Sequence, residues 1–196
     1  MIRTMALLAT AALLTGCVAG QHIKLHYEPA PQASSSGAGA PFVLVVKDQR
    51  EYVTSGNKTP WYIGHYRAGF GNTWDVINFN QVPLADQMKS DLHQDLLSLG
   101  FVEGASGSAK TVTVTITEWN FDAAINGRLW YDIQVSVAAA DGHVLATSQV
   151  KDEKVIKGSV MMGAKGAMED EIPTYYAEVI RKLVRENPTT LGALRS

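Results

Sequence analysis

The chain has 196 residues, 46% of them hydrophobic, with four tryptophans, one cysteine and 17 Lys plus Arg against 19 Asp plus Glu, a net charge of −2. That length and apolar content support one domain with a sizeable core. The near-neutral balance, with no basic stripe, argues against nucleic acid as a partner, and a single cysteine rules out a disulfide framework.

The start, MIRT, carries Arg3 and leads into a run of small and apolar residues from Met5 to Gly16. A spanning helix needs about 20 apolar residues, and this run ends after about a dozen with no stop-transfer flank. Residues 1–16 therefore read as an export signal. Its end, Leu14-Thr15-Gly16-Cys17, resembles the lipobox of bacterial lipoproteins. The resemblance implies cleavage between Gly16 and Cys17 and acylation of the Cys17 sulfur. An exported thiol without a partner invites wrong bridges, and a thioether removes that hazard. Several acyl chains, at about 0.8 kcal/mol per buried methylene, would hold the mature chain on a membrane. The residue after the cysteine is Val18 where an aspartate would favour retention in the inner membrane. By the same resemblance the expected location is the outer membrane, with the body facing the periplasm.

Beyond the anchor, Ile23, Leu25 and Tyr27 alternate with polar residues as in a half-buried strand, outlying or at an edge. Ala30 to Pro41 is small, polar and rich in Pro and Gly, the composition of a flexible spacer. The folded body is expected at 42–187, with 188–196 as a tail. Phe42 to Val46 is continuously apolar, which suggests a central strand covered on both faces. Tyr62, Gly64, Tyr66, Ala68 and Phe70 then alternate with Trp61, Ile63, His65 and Arg67, and a short strand follows over Trp74 to Phe79. From Pro83 the period changes: Leu84, Met88, Leu92, Leu96 and Leu99 form a helical stripe, with Asp91 on the outer side. Gly100 caps this helix, and Phe101 folds back over its last turn.

Val112, Val114 and Ile116 alternate strictly with threonines. Asn126-Gly127 marks a hairpin, and Leu129, Tyr131, Ile133, Val135 and Val137 face inward from the next strand. Asp141-Gly142 marks a second turn, so a three-strand meander is expected. The charged runs Lys151 to Lys154 and Glu169 to Glu171 read as solvated turns or helix starts. Residues 157–171 have no clear period. A closing helix runs from Pro173 to Asn187 on the stripe Ile172, Tyr176, Val179, Ile180, Leu183 and Val184, and Asn187-Pro188 stops it. The fold class is α+β: an antiparallel or mixed β-sheet with two amphipathic helices packed on it, in the order β-β-(β)-α-β-β-β-α.

The lipobox, the strand end with Val46, Asp48 and Arg50, the helix ending Leu96 to Phe101, and the alternating strands before a closing helix together resemble the YajG-like bacterial lipoproteins, over roughly residues 42–185. The resemblance implies an envelope lipoprotein and no particular reaction. The aromatic segment between Arg50 and Pro83 departs from the simplest form of that pattern. A related shape occurs in auxiliary lipoproteins of envelope transport systems.

Chemistry is sparsely marked. His22 and His26 are four apart and offer two metal ligands, but no third follows. Serines lack a nucleophile elbow, and the glycines Gly64, Gly69 and Gly71 lack the strand-turn-helix setting of a phosphate loop. Asp48 with Arg50 suits a turn cap and ion pair better than a catalytic dyad. No catalytic residue, metal or cofactor is assigned. The expected function is a membrane-anchored, non-catalytic binding or scaffold module with a periplasmic or envelope protein as partner. The alternatives are an auxiliary subunit of a transport or assembly complex and, third, a periplasmic hydrolase. Trp61, His65 and Arg67, on one side of the aromatic segment, are the candidate partner-binding residues.

Overall fold

The computed structural model describes residues 21–30, 37–67, 72–158 and 165–196. In chain order the elements are strands β1 (Gln21–Ile23) and β2 (Pro41–Asp48), a helical turn α1 (Glu51–Thr54), strands β3 (Tyr62–Arg67) and β4 (Thr73–Asn78), and helix α2 (Leu84–Ser98). Strands β5 (Val102–Glu103), β6 (Lys110–Ala123), β7 (Gly127–Ala138) and β8 (Val144–Ile156) follow, then helices α3 (Lys165–Leu183) and α4 (Pro188–Arg195). All eight strands belong to one mixed sheet, so the chain has the α+β fold.

The long strand β6 organises the sheet. Its N-terminal half pairs parallel with β2, from Phe42↔Lys110 to Asp48↔Ile116. Its C-terminal half pairs on with β3 at His65↔Asp122, while β7 runs antiparallel to it throughout. The central strand is thus β6 and not β2, which has only the two-residue β5 on its other side. A bulge between Ile116 and Glu118 shifts the phase of β6. The inward set is accordingly Val112, Val114 and Ile116, then Trp119, Phe121 and Ala123, all fully buried. This extra residue lets a long strand bend while both halves keep an apolar face on the core.

Helix α2 forms where the leucine stripe predicts it, with Leu84, Met88, Leu92 and Leu96 buried. Gly100, at φ 84°, takes the left-handed conformation. The Phe101 N–H then donates to the Leu96 carbonyl at 3.2 Å, and the Phe101 ring is buried. The expected outer position of Asp91 is wrong: Asp91 is buried at 5% exposure. It lies beside the leucine stripe, where Tyr176 of α3 and Gln87 hydrogen-bond its Oδ2.

Residues 21–30, ahead of the expected start of the body at residue 42, pack into it. β1 pairs parallel with β4 at the sheet's edge, and Ile23, Leu25 and Tyr27 enter the core. The Tyr27 hydroxyl donates to Asp95 at 2.8 Å. Arg185 reaches the same carboxylate oxygen at 2.7 and 2.9 Å, so the N-terminal segment is tied to α2 and to the end of the α3 segment.

The run Lys151 to Lys154 is strand, not turn, because each residue pairs across to β7. The run Glu169 to Glu171 lies inside α3, which begins at Lys165 and carries Pro173 within it. The Asn187-Pro188 pair starts a helix as well as ending one. The Asn187 side chain accepts from the Thr190 N–H, with Pro188 in the first turn, the position that suits a residue lacking an N–H. The expected tail is therefore α4, whose Leu194 is buried at 1% exposure.

Candidate functional site

Gly16, Cys17 and Val18 lie outside the described residues, as do Phe70 and the Met161-Met162 pair. His22 is exposed on β1, and His26 lies 3.4 Å from Glu28. Among the described residues no group of three metal-ligating side chains occurs.

Arg50 is fully buried, and its setting follows from the way β2 and β3 share one edge of β6. Between the two strands a gap opens at Trp119, where carbonyls lack ladder partners. The Arg50 guanidinium fills it, donating to the carbonyls of Tyr62 at 2.6 Å and Pro60 at 3.0 Å. It also forms a two-pronged pair with Asp48 at 2.7 and 2.8 Å. The Tyr52 hydroxyl takes the Trp119 carbonyl at 2.6 Å. Five fixed donors make arginine the residue for such a gap, and the arrangement is structural.

The strict alternation expected in the aromatic segment is broken by a bulge between Tyr62 and Gly64. Ile63 is fully buried as a result, and the Tyr62 hydroxyl reaches His65 Nδ1 at 3.2 Å and Asn120 Oδ1 at 3.0 Å. Of the three candidate binding residues, two come together. His65 Nε2 lies 3.2 Å from Asp122, and Arg67 Nε donates to Asp122 at 2.9 Å. Burial works to raise the Asp122 pKa, but the Arg67 hydrogen bond and the His65 charge outweigh it and hold the carboxyl below its ordinary range. Among the described residues no hydrogen bond or ion pair joins half-buried Trp61 to this group.

The face of the sheet opposite the core carries a feature that the sequence reading did not assign. Leu129 and Tyr131 of β7 are buried, and between them Trp130 turns to the other face. It lines an open groove of about 640 Å³ together with Glu118, Asn120, Asp132, Lys151 and Glu153. Register puts Trp130 opposite Asn120 of β6 and Glu153 of β8, so all three lie on one line across the sheet. A second hollow of about 390 Å³ shares Trp130 and adds Arg67, Asp122 and Arg128. The alternation that buried Leu129 and Tyr131 was a sufficient signal to turn the indole outward.

The groove is held by cross-strand charge pairs. Burial raises the Asp132 pKa, yet hydrogen bonds from Gln149 at 2.6 Å and Lys151 at 2.9 Å prevail and keep the carboxyl below its usual range. Asp152 is held low by its hydrogen bond to Lys154. Arg128 meets Glu153 at 2.8 Å. Of the lining acids, Asp132, Asp152 and Glu153 are paired with Lys151, Lys154 and Arg128, and Glu118 makes no ion pair among the described residues. The arrangement can hold a cationic group against an indole face.

No family model matches the chain, and no curated protein matches it. Solved structures share its fold. Protein XCC0632 from Xanthomonas campestris, of the family DUF330, superposes with a TM-score of 0.54 at 10% identity over 83% of this chain and 95% of that one. An uncharacterized protein superposes with a TM-score of 0.51 at 12% identity over 85% and 97%. Rare lipoprotein B from Shewanella oneidensis gives only 0.38 at 11% identity, over 78% and 98%. At these identities the likeness of the first two shows a shared architecture and no shared chemistry.

Proposed function

We propose that the chain is a lipid-anchored lipoprotein of the bacterial envelope, acting without catalysis as a binding module through the open face of its sheet. The observation that carries the binding reading is Trp130, an indole turned out of a strand into an acidic groove. The anchor rests on Leu14-Thr15-Gly16-Cys17, and Val18 favours the outer membrane with the body in the periplasm. Val46, Asp48, Arg50 and the Leu96 to Phe101 helix end favour the YajG-like lipoproteins as its family.

The groove suits a basic, partly apolar segment of an envelope protein. An ammonium or guanidinium over an indole gains about 0.5–2 kcal/mol, and Glu118, which makes no ion pair among the described residues, adds attraction. Crosslinking in cells, with wild type and Trp130→Ala compared, tests the reading. The variant is expected to keep its melting temperature and lose the captured partner. Equal capture by both chains would remove the groove from the function, and a transporter component as the partner would make the chain an auxiliary subunit.

A further inference from the structure

We infer that the body stands on the bilayer by one end of its sheet, with Ile125 and Val155 in contact with lipid. The inference rests on the lipid anchor proposed above and adds an orientation to it. β1 runs parallel to β4, with Gln21 opposite Val76, so β1 starts at the end of the sheet where β4 starts, at Thr73. The same end collects the end of β3 at Arg67, the end of β6 at Ala123, the start of β7 at Gly127 and the end of β8 at Ile156.

Distances make this end the one that meets the membrane. Four residues lead from Cys17 to Gln21, and at up to about 3.6 Å per residue they span no more than about 14 Å. From Val76 to Thr73 the strand projects a further ~10 Å toward the anchor at about 3.3 Å per residue. With β4 along the tether, its Thr73 end comes within about 4 Å of the hydrocarbon surface, inside a headgroup layer of roughly 5–8 Å.

The side chains at this end match that position. Ile125, at the tip of the β6–β7 hairpin, is 60% exposed, and Val155 is 53% exposed. Hairpin tips in water favour Asn, Asp and Gly. Asn126 and Gly127 meet that need, while the Ile125 side chain is not taken up by the core. Lys157, just past β8, is exposed too, and a lysine suits the phosphates of a headgroup layer. Lipid is the occupant because the tether is too short to hold this end away from it.

The chain's other cysteine positions are none, so Ile125→Cys adds one reactive thiol to the acylated protein. The full acylated chain would be labelled there with an environment-sensitive dye and reconstituted into phosphatidylethanolamine and phosphatidylglycerol vesicles carrying a nitroxide-headgroup lipid. Val144→Cys, at the opposite end of β8 and 54% exposed, is the reference position. Quenching several-fold stronger at position 125 than at 144 is expected. Equal quenching, or stronger quenching at 144, with Cys17 acylated by mass overturns the orientation and leaves the lipoprotein reading standing. An unacylated Cys17 overturns both.

Discussion

The hydroxyl of Tyr176 donates a 2.7 Å hydrogen bond to Asp91, joining α2 to α3 across 85 residues of sequence with both side chains buried. Tyr176 also meets the ring of Trp119 edge-on, at 5.7 Å between centroids. The helix pair and the sheet are therefore locked through one tyrosine.

Burial, despite the hydrogen bonds from Tyr176 and Gln87, holds the Asp91 carboxyl above its ordinary pKa. The folded protein thus binds a proton here more tightly than the unfolded chain. Its contribution to stability is present below the unfolded pKa, about 3.9, and is lost as pH rises through the raised folded value. Asp91→Asn should gain melting temperature relative to wild type as pH increases across that window. A difference constant with pH would sink this account. Asp91→Ala, which leaves the Tyr176 hydroxyl buried and unpaired, should cost about 1–3 kcal/mol by urea unfolding.

Arg50 offers a sharper test of chemistry against charge. Arg50→Ala should cost about 3–5 kcal/mol, since it strands Asp48 and removes the guanidinium donor to the Tyr62 carbonyl, whereas the Pro60 carbonyl keeps the Leu84 N–H. Arg50→Lys should recover little, because one ammonium cannot reproduce the two-pronged pair and both carbonyl contacts at once. Full stability in the lysine variant, by urea unfolding, would show that charge alone suffices.

Gly64 sits in the β3 bulge against Phe121. A Cβ there would lie 2.4 Å from the ring, so Gly64→Ala should cost about 1–3 kcal/mol through overpacking. Combining it with Phe121→Leu should cost less than the sum of the two single changes. Additive losses in calorimetry would mean that the glycine serves the backbone and not the ring.

Cys17→Ser should abolish incorporation of an acyl probe and leave the precursor uncut. Val18→Asp should move the protein toward the inner-membrane fraction. An unlabelled wild-type chain would end the lipoprotein reading, and unchanged density in the Val18 variant would end the sorting assignment.

Much of the fold was legible because period and turn chemistry are local. The leucine stripe of α2, the Gly100 cap with Phe101 and the Asn126-Gly127 hairpin each rest on a few neighbouring residues, and each forms where expected. The site was half legible. Alternation turned Trp130 outward, but nothing in β7 alone shows that Glu118, Asn120 and Glu153 gather around it. Of Trp61, His65 and Arg67, the last two meet at Asp122, and the bulge between Tyr62 and Gly64 that shifts the register between them and Trp61 has no local signal in the sequence.

The sequence by itself determined the α+β class, the meander and the main helix, because backbone dihedral preferences and side-chain period act over short stretches. Tertiary structure alone decided that Asp91 and Asp95 are buried, that Arg50 fills the gap where two strands share an edge, and that residues 188–195 form a packed helix. A charged residue reads as exposed until its partner is known. Tyr176, Tyr27 and Arg185 lie far away in sequence, and only packing brings their donors onto Asp91 Oδ2 and Asp95 Oδ1 out of water.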